Sequence, residues 1–131
     1  MFGIFKKKKR EMPPFNDLNN SPLRGKYFIR LAPWDWLDQK MIHVFDLNSP
    51  RVITMDPWVQ VVYLEADGQK TVQDLVYQMA SSYSRNEVIP HELDKQIIYV
   101  LESLLRDKLI ELLDSKKQLP EHLKKPRSQL K

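Results

Sequence analysis

The sequence predicts an α+β fold: a three-stranded antiparallel sheet followed by three helices, in the order βββααα. Three observations predict it. Short apolar or alternating runs occupy residues 27–31, 41–45 and 51–55. Helix-sized periodic segments with recognisable starts follow, opening at Asp56-Pro57, at Thr71 and near Pro90. Only Asn48, Ser49 and Pro50 separate the second and third strands, a connection short enough to favour an antiparallel hairpin.

Each element has its own warrant. In the first strand Tyr27, Ile29 and Leu31 alternate with Phe28 and Arg30. Pro33 cannot donate to a ladder, so the chain bends or restarts at Trp34-Asp35-Trp36. The second strand places Ile42 and Val44 on one face and Met41, His43 and Phe45 on the other. The third, at 51–55, is followed at once by a helix, so one of its edges is expected to lack a neighbour.

Asp56 is suited to N-cap the first helix, and Pro57 to its first turn, where the missing N–H costs nothing. Val59, Val62, Tyr63 and Ala66 should form its inner face, with Gly68 as its stop. Thr71 caps the second helix, Asp74 complements the positive end of its dipole, and Val72, Leu75, Val76 and Met79 face inward. The third helix, to about Asp107, carries Leu93, Ile97, Val100, Leu101 and Leu104 as a core stripe. A short apolar stretch, 109–113, follows it.

Three domains of organisation result. Residues 1–25, with Lys6 to Arg10, Pro13-Pro14 and several Asn, form a basic, mostly extended arm. Residues 26–114 form the folded unit, and residues 115–131 a basic tail. Neither tail is expected to contribute to the fold. The net charge of +4 divides unevenly, since 26–114 holds nine basic and fourteen acidic residues, net −5, and the tails hold the remaining +9. An acidic body repels phosphate backbones, so the high isoelectric point is no sign of a nucleic-acid-binding domain.

Zero cysteines exclude disulfides, thiolate catalysis and Cys-ligated clusters, in keeping with a reducing cytoplasm. No apolar run approaches the ~18–20 residues of a membrane-spanning helix. His43, His91 and His122 are scattered without ligand spacing, and the three glycines form no phosphate-cradling loop. Asp35 and Asp38 have no partner element for acid–base work. The sequence therefore calls for no catalytic residue, metal or cofactor. Binding is the remaining role. On the third helix Ile98 and Leu105 lie about 90° from the centre of the core stripe, beside Asp94 and Glu102, and could wall a groove for a partner peptide.

Two motifs carry a resemblance. The run Asp67-Gly68-Gln69-Lys70-Thr71-Val72-Gln73-Asp74-Leu75-Val76 is similar to the Asp-Gly-x-x-Thr-Val-x-x-Ile/Leu-Val run of the PqqD-like family of small winged-helix modules. The close Val100-Leu101-Glu102-Ser103-Leu104-Leu105-Arg106-Asp107-Lys108-Leu109-Ile110-Glu111 resembles that family's final helix. The resemblance spans residues 26–113 and is strongest over 51–112. It implies a winged-helix-like fold and a non-catalytic recognition module for ribosomally made precursor peptides. Such a module binds the leader by strand addition and presents it to a modifying enzyme, often a radical S-adenosylmethionine enzyme. Carried onto this chain, it implicates the main chain of Arg51, Val52, Ile53 and Thr54, and the flank Asp94, Ile98, Leu101 and Leu105. Lys108 stands where the family has Gly, Trp58 and Tyr63 where it has smaller residues, and the tails and Trp34-Asp35-Trp36 have no counterpart. Synthesis of pyrroloquinoline quinone itself therefore stays one possibility among peptide pathways. Two other roles remain: a winged-helix DNA-binding regulator, and a membrane-surface adaptor using residues 2–10.

Overall fold

The computed structural model describes residues 12–130. In chain order the elements are α1 (Asn16–Asn19), β1 (Tyr27–Arg30), β2 (Trp34–Trp36), β3 (Ile42–Asp46), β4 (Arg51–Thr54), α2 (Pro57–Glu65), β5 (Asp67–Thr71), α3 (Val72–Ser81), α4 (Leu93–Arg106), β6 (Ile110–Leu113) and α5 (Glu121–Lys124), with a closing 3-10 turn over Arg127–Gln129. The fold is mixed α+β, with two antiparallel three-stranded sheets. No helix among the described residues is long and apolar enough to cross a membrane.

The three expected strands do not share one sheet. The meander β2-β3-β4 pairs Trp34 with Val44 and Phe45 with Val52, whereas β1 lies between β5 and β6 in a second sheet. The break falls at Pro33, where the backbone cannot carry the β1 ladder onward. Central β1 buries Phe28, Ile29 and Arg30 in succession, so alternation fails where both faces are covered. Arg30 is buried without a carboxylate close enough for an ion pair among the described residues. Its guanidinium instead donates to the carbonyls of Leu64 at 2.9 Å and Leu123 at 3.0 Å. Burial lowers its pKa, opposed by Tyr63, Asp67 and Glu65. The Tyr63 hydroxyl donates to the Ala32 carbonyl at 2.6 Å and accepts from its amide, fixing the turn between the sheets.

The helices start where their caps predict. The Asp56 carboxylate accepts from the Val59 amide at 3.1 Å, with Pro57 in the first turn. Thr71 and Asp74 exchange side-chain-to-backbone bonds in a capping box. In α4 the core stripe Leu93, Ile97, Val100, Leu101 and Leu104 is buried as expected. The helix closes through Lys108 in left-handed conformation, φ 59°, with the Leu109 amide donating to the Leu104 carbonyl. Glycine adopts that conformation freely, and a lysine there costs about 1 kcal/mol.

Gly68 does not stop a helix. α2 ends at Glu65, and Gly68 lies within β5 at φ +77°, where a Cβ would meet the Lys117 carbonyl oxygen at 2.2 Å. The Lys117 amide donates to the Gly68 carbonyl at 3.0 Å, so glycine is where the C-terminal segment crosses the sheet.

The described parts of both terminal segments, 12–25 and 115–130, pack, where the sequence led to the expectation of a loose arm and tail. Phe15 and Leu18 are buried, and the Phe15 ring meets Tyr77 edge-on with centroids 5.6 Å apart. At the other end Leu119 and Leu123 close over Ile29 as a second small core. Leu119, in the extended chain before Pro120, and Leu123, in α5, both turn inward, while the strap's described lysines are exposed.

Candidate functional site: an open strand edge beside an apolar cavity

Among the described residues β4 is an edge strand, hydrogen-bonded to β3 alone. The alternation of an antiparallel ladder settles which of its main-chain groups are free. The Phe45 amide donates to the Pro33 carbonyl at 2.8 Å, so Phe45 turns its peptide groups away from β4. Phe45 faces Val52 across the pair, and His43 faces Thr54. Val52 and Thr54 therefore direct their N–H and C=O groups outward, while Arg51 and Ile53 bond to Asp46 and Val44. Their side chains differ too: Val52 is 56% exposed, whereas Ile53 packs against the core.

The two ends of this hairpin are tied to opposite ends of α4. In the turn, the Asn48 amide group reaches the Lys108 carbonyl at 3.4 Å. Beyond β4, Asp56 joins Glu92 and Lys95 at the rim of a cavity of about 640 Å³ between the start of α2 and the first half of α4. Pro57, Trp58, Val59, Tyr99 and Val100 form its mostly apolar wall. Trp58 and Tyr99 remain 37% and 69% exposed, more than core aromatics would be. A shallower depression on the far side of Trp58, lined by Val61, Met79 and Tyr83, extends the apolar surface.

The α4 flank expected to line a groove is a different one, and it is largely used. Asp94 is buried and its Oδ2 accepts from the Leu18 amide at 2.9 Å, so the chain's own α1 covers it. Its Oδ1 has no hydrogen-bond partner among the described residues. Leu101 is fully buried in the core, and Ile98 and Leu105 are half-buried against it. Asp94 and Leu101 are therefore structural residues. Helical periodicity places the four on one flank but does not say which flank a distant segment will cover. Sequence reasoning missed Tyr99, Gln96 and Lys95; the signal was an aromatic at 99, set among the charged residues opposite the core stripe, where it has no core role.

The outer face of the meander carries Asp35, His43, Phe45, Val52 and Thr54, since paired residues share a face. The His43 and Phe45 ring centroids lie 4.9 Å apart. The terminal turn lies across this face: the Ser128 hydroxyl and amide donate to Asp35 at 2.9 and 2.8 Å, and the Arg127 guanidinium stacks 4.6 Å from the Phe45 ring centre. Burial pushes the Asp35 carboxyl up, but the Ser128 bonds, the Trp36 amide and His43 outweigh it and hold it below the usual carboxylate range. His91 and His122 are exposed and far from each other in the chain, and no metal-holding cluster occurs among the described residues. Residues 2–10, an apolar tip followed by five basic residues and the basis of the membrane-surface reading, lie outside the described residues.

Comparison with known proteins finds no matching family model, no matching curated protein and no matching solved structure.

Proposed function

We propose that this protein is a non-catalytic peptide-binding module in the manner of the PqqD-like, winged-helix-like family. It takes the leader of a ribosomally made precursor peptide as an added strand on β4 and presents it, in the cytoplasm, to a modifying enzyme such as a radical S-adenosylmethionine enzyme. The observation that carries the reading is the free edge of β4. There Val52 and Thr54 hold unpaired peptide groups outward, two residues upstream of an apolar cavity. An incoming extended segment would gain ladder bonds along that edge, and its apolar side chains would find Trp58, Tyr99 and Val100. The anchors on α4 are then Tyr99, Gln96 and Val100 in place of Asp94 and Leu101.

A random library of displayed twelve-residue peptides, selected against the full chain, tests this. Val52→Pro removes one outward N–H and leaves the bonds of Arg51 and Ile53 to β3 in place. Selected peptides are expected to lose tenfold or more in affinity for Val52→Pro, about 1.4 kcal/mol, and to shift the amide resonances of Val52, Thr54 and Tyr99. Peptides that bind the two proteins equally, or no selected peptides, would overturn strand addition.

A further inference from the structure

The C-terminal strap ends on the same sheet whose edge is open, and it ends with a cation. Ser128 is fastened to Asp35 and Arg127 to Phe45, so the strap covers the outer face over β2 and β3. On that same face Val52 and Thr54 of β4 stay exposed among the described residues. Arg127 is itself exposed, and no ion pair to it occurs among the described residues. Stacking on Phe45 occupies the face of its guanidinium and leaves the N–H donors at its edge available. The nearby carboxylate of Asp35 already accepts twice from Ser128.

We infer that Arg127 is a specificity residue for the segment that adds to β4, selecting a carboxylate side chain at the position opposite Val52. The inference rests on the strand-addition reading. Register supplies the geometry: a residue paired with Val52 projects onto the outer face, in the same cross-strand row as Phe45. That residue lies two strand spacings from Phe45, about 10 Å. A glutamate leaning back over Val52 and the Arg127 side chain reaching forward close this gap together. Charge favours the same partner. Residues 115–130 hold five basic side chains and one acidic, against a body of net −5, so the strap side is where an acidic segment is attracted.

The same displayed library, selected in parallel against the full chain and its Arg127→Gln and Arg127→Glu variants, tests the inference. Only peptides weakened by Val52→Pro are counted. Against the full chain they are expected to enrich Asp or Glu at one fixed position. Arg127→Gln should erase that preference, and Arg127→Glu should replace it with Lys or Arg. Replacing the enriched carboxylate with its amide should weaken binding to the full chain about threefold to fivefold, and leave binding to Arg127→Gln unchanged. Edge-dependent peptides that show no acidic preference, or the same one against all three proteins, overturn the role of Arg127 and leave strand addition standing. If no peptide depends on the edge, both readings fall. Circular dichroism of Arg127→Glu should match the parent, since the side chain is exposed.

Discussion

The two sheets have the same size and opposite construction. In the meander, neighbours in space are neighbours in sequence, and one edge, β4, stays unpaired. In the other sheet β1 is flanked by strands some forty and eighty residues downstream, Tyr27 pairing with both Thr71 and Leu113. It is closed further by the strap: Leu119 and Leu123 lie over Ile29, Lys117 bonds to Gly68, and Arg30 donates to the Leu123 carbonyl. Trp34 at the start of the meander donates to that same carbonyl, at 3.2 Å. One sheet is a locked scaffold; the other packs its inner face, Trp34, Ile42 and Val44, on the same core and leaves one edge open among the described residues. An edge strand can keep unpaired peptide groups without loss of order when the rigid contacts of the fold are made elsewhere.

The largest way to break that contrast is to remove the strap. A chain ending at Asp114 uncovers Ile29, loses the burial of two leucines at about 1.5–3 kcal/mol each, and leaves the buried Arg30 short of an acceptor. The total is comparable to the whole stability of a small domain. Thermal melting followed by circular dichroism is expected to lose its cooperative transition; a sharp melt close to the parent's would show the scaffold is closed without the strap.

Gly68→Val tests the same lock at one atom. Its Cβ cannot coexist with the Lys117 carbonyl, and its backbone is left-handed, so destabilisation of about 2–4 kcal/mol in urea unfolding is expected. A cost under 1 kcal/mol would mean the crossing can shift freely.

Within the meander, prolines at successive positions of β4 should separate. Ile53→Pro breaks a ladder bond to Val44 and disturbs a side chain on the core, at about 3 kcal/mol or more. Val52→Pro removes only an outward N–H and should cost under about 1 kcal/mol. Equal costs would refute the assignment of the free groups.

The smallest effect is on pH. Because the folded-state pKa of Asp35 is depressed, its grip on Ser128 contributes stability above the ordinary carboxylate pKa near 4 and loses it as pH falls through the lower folded value. As pH falls from neutral through that lower folded value, the Ser128 amide resonance should move toward its unbound position while the β1 amides hold. Simultaneous loss of both would place the strap's end and the scaffold in one cooperative unit.

How much of this was legible follows the same division. Local signals gave the strands at 27–31, 41–45 and 51–55, the Asp56 and Thr71 caps and the α4 stripe, because each depends on residues close in sequence. β2 was obscured by its three-residue length beside Pro33, and β5 by Asp67-Gly68, a pair that signals a turn when its partner strand is unknown. β6 showed only as an apolar stretch, since nothing in 109–113 names β1 as its neighbour. The free edge of β4 was anticipated from its place in strand order. The occupied flank of α4 was not, because the Leu18 amide that finds Asp94 lies 76 residues away. Leu119 and Leu123 form no apolar period of their own among the surrounding lysines and prolines, so the tail read as basic and loose.

The pairing of Tyr27 with Leu113 also sets an order of events during synthesis. A ribosome releases the meander and its free edge long before β6 and the strap exist to close the scaffold around β1. Distant pairing is slow even in a complete chain, because a large loop must close first. A nascent chain therefore displays an unpaired strand edge beside an unfinished core for tens of residues of elongation. The same edge that stays open in the finished fold makes the half-made one a substrate for chaperones.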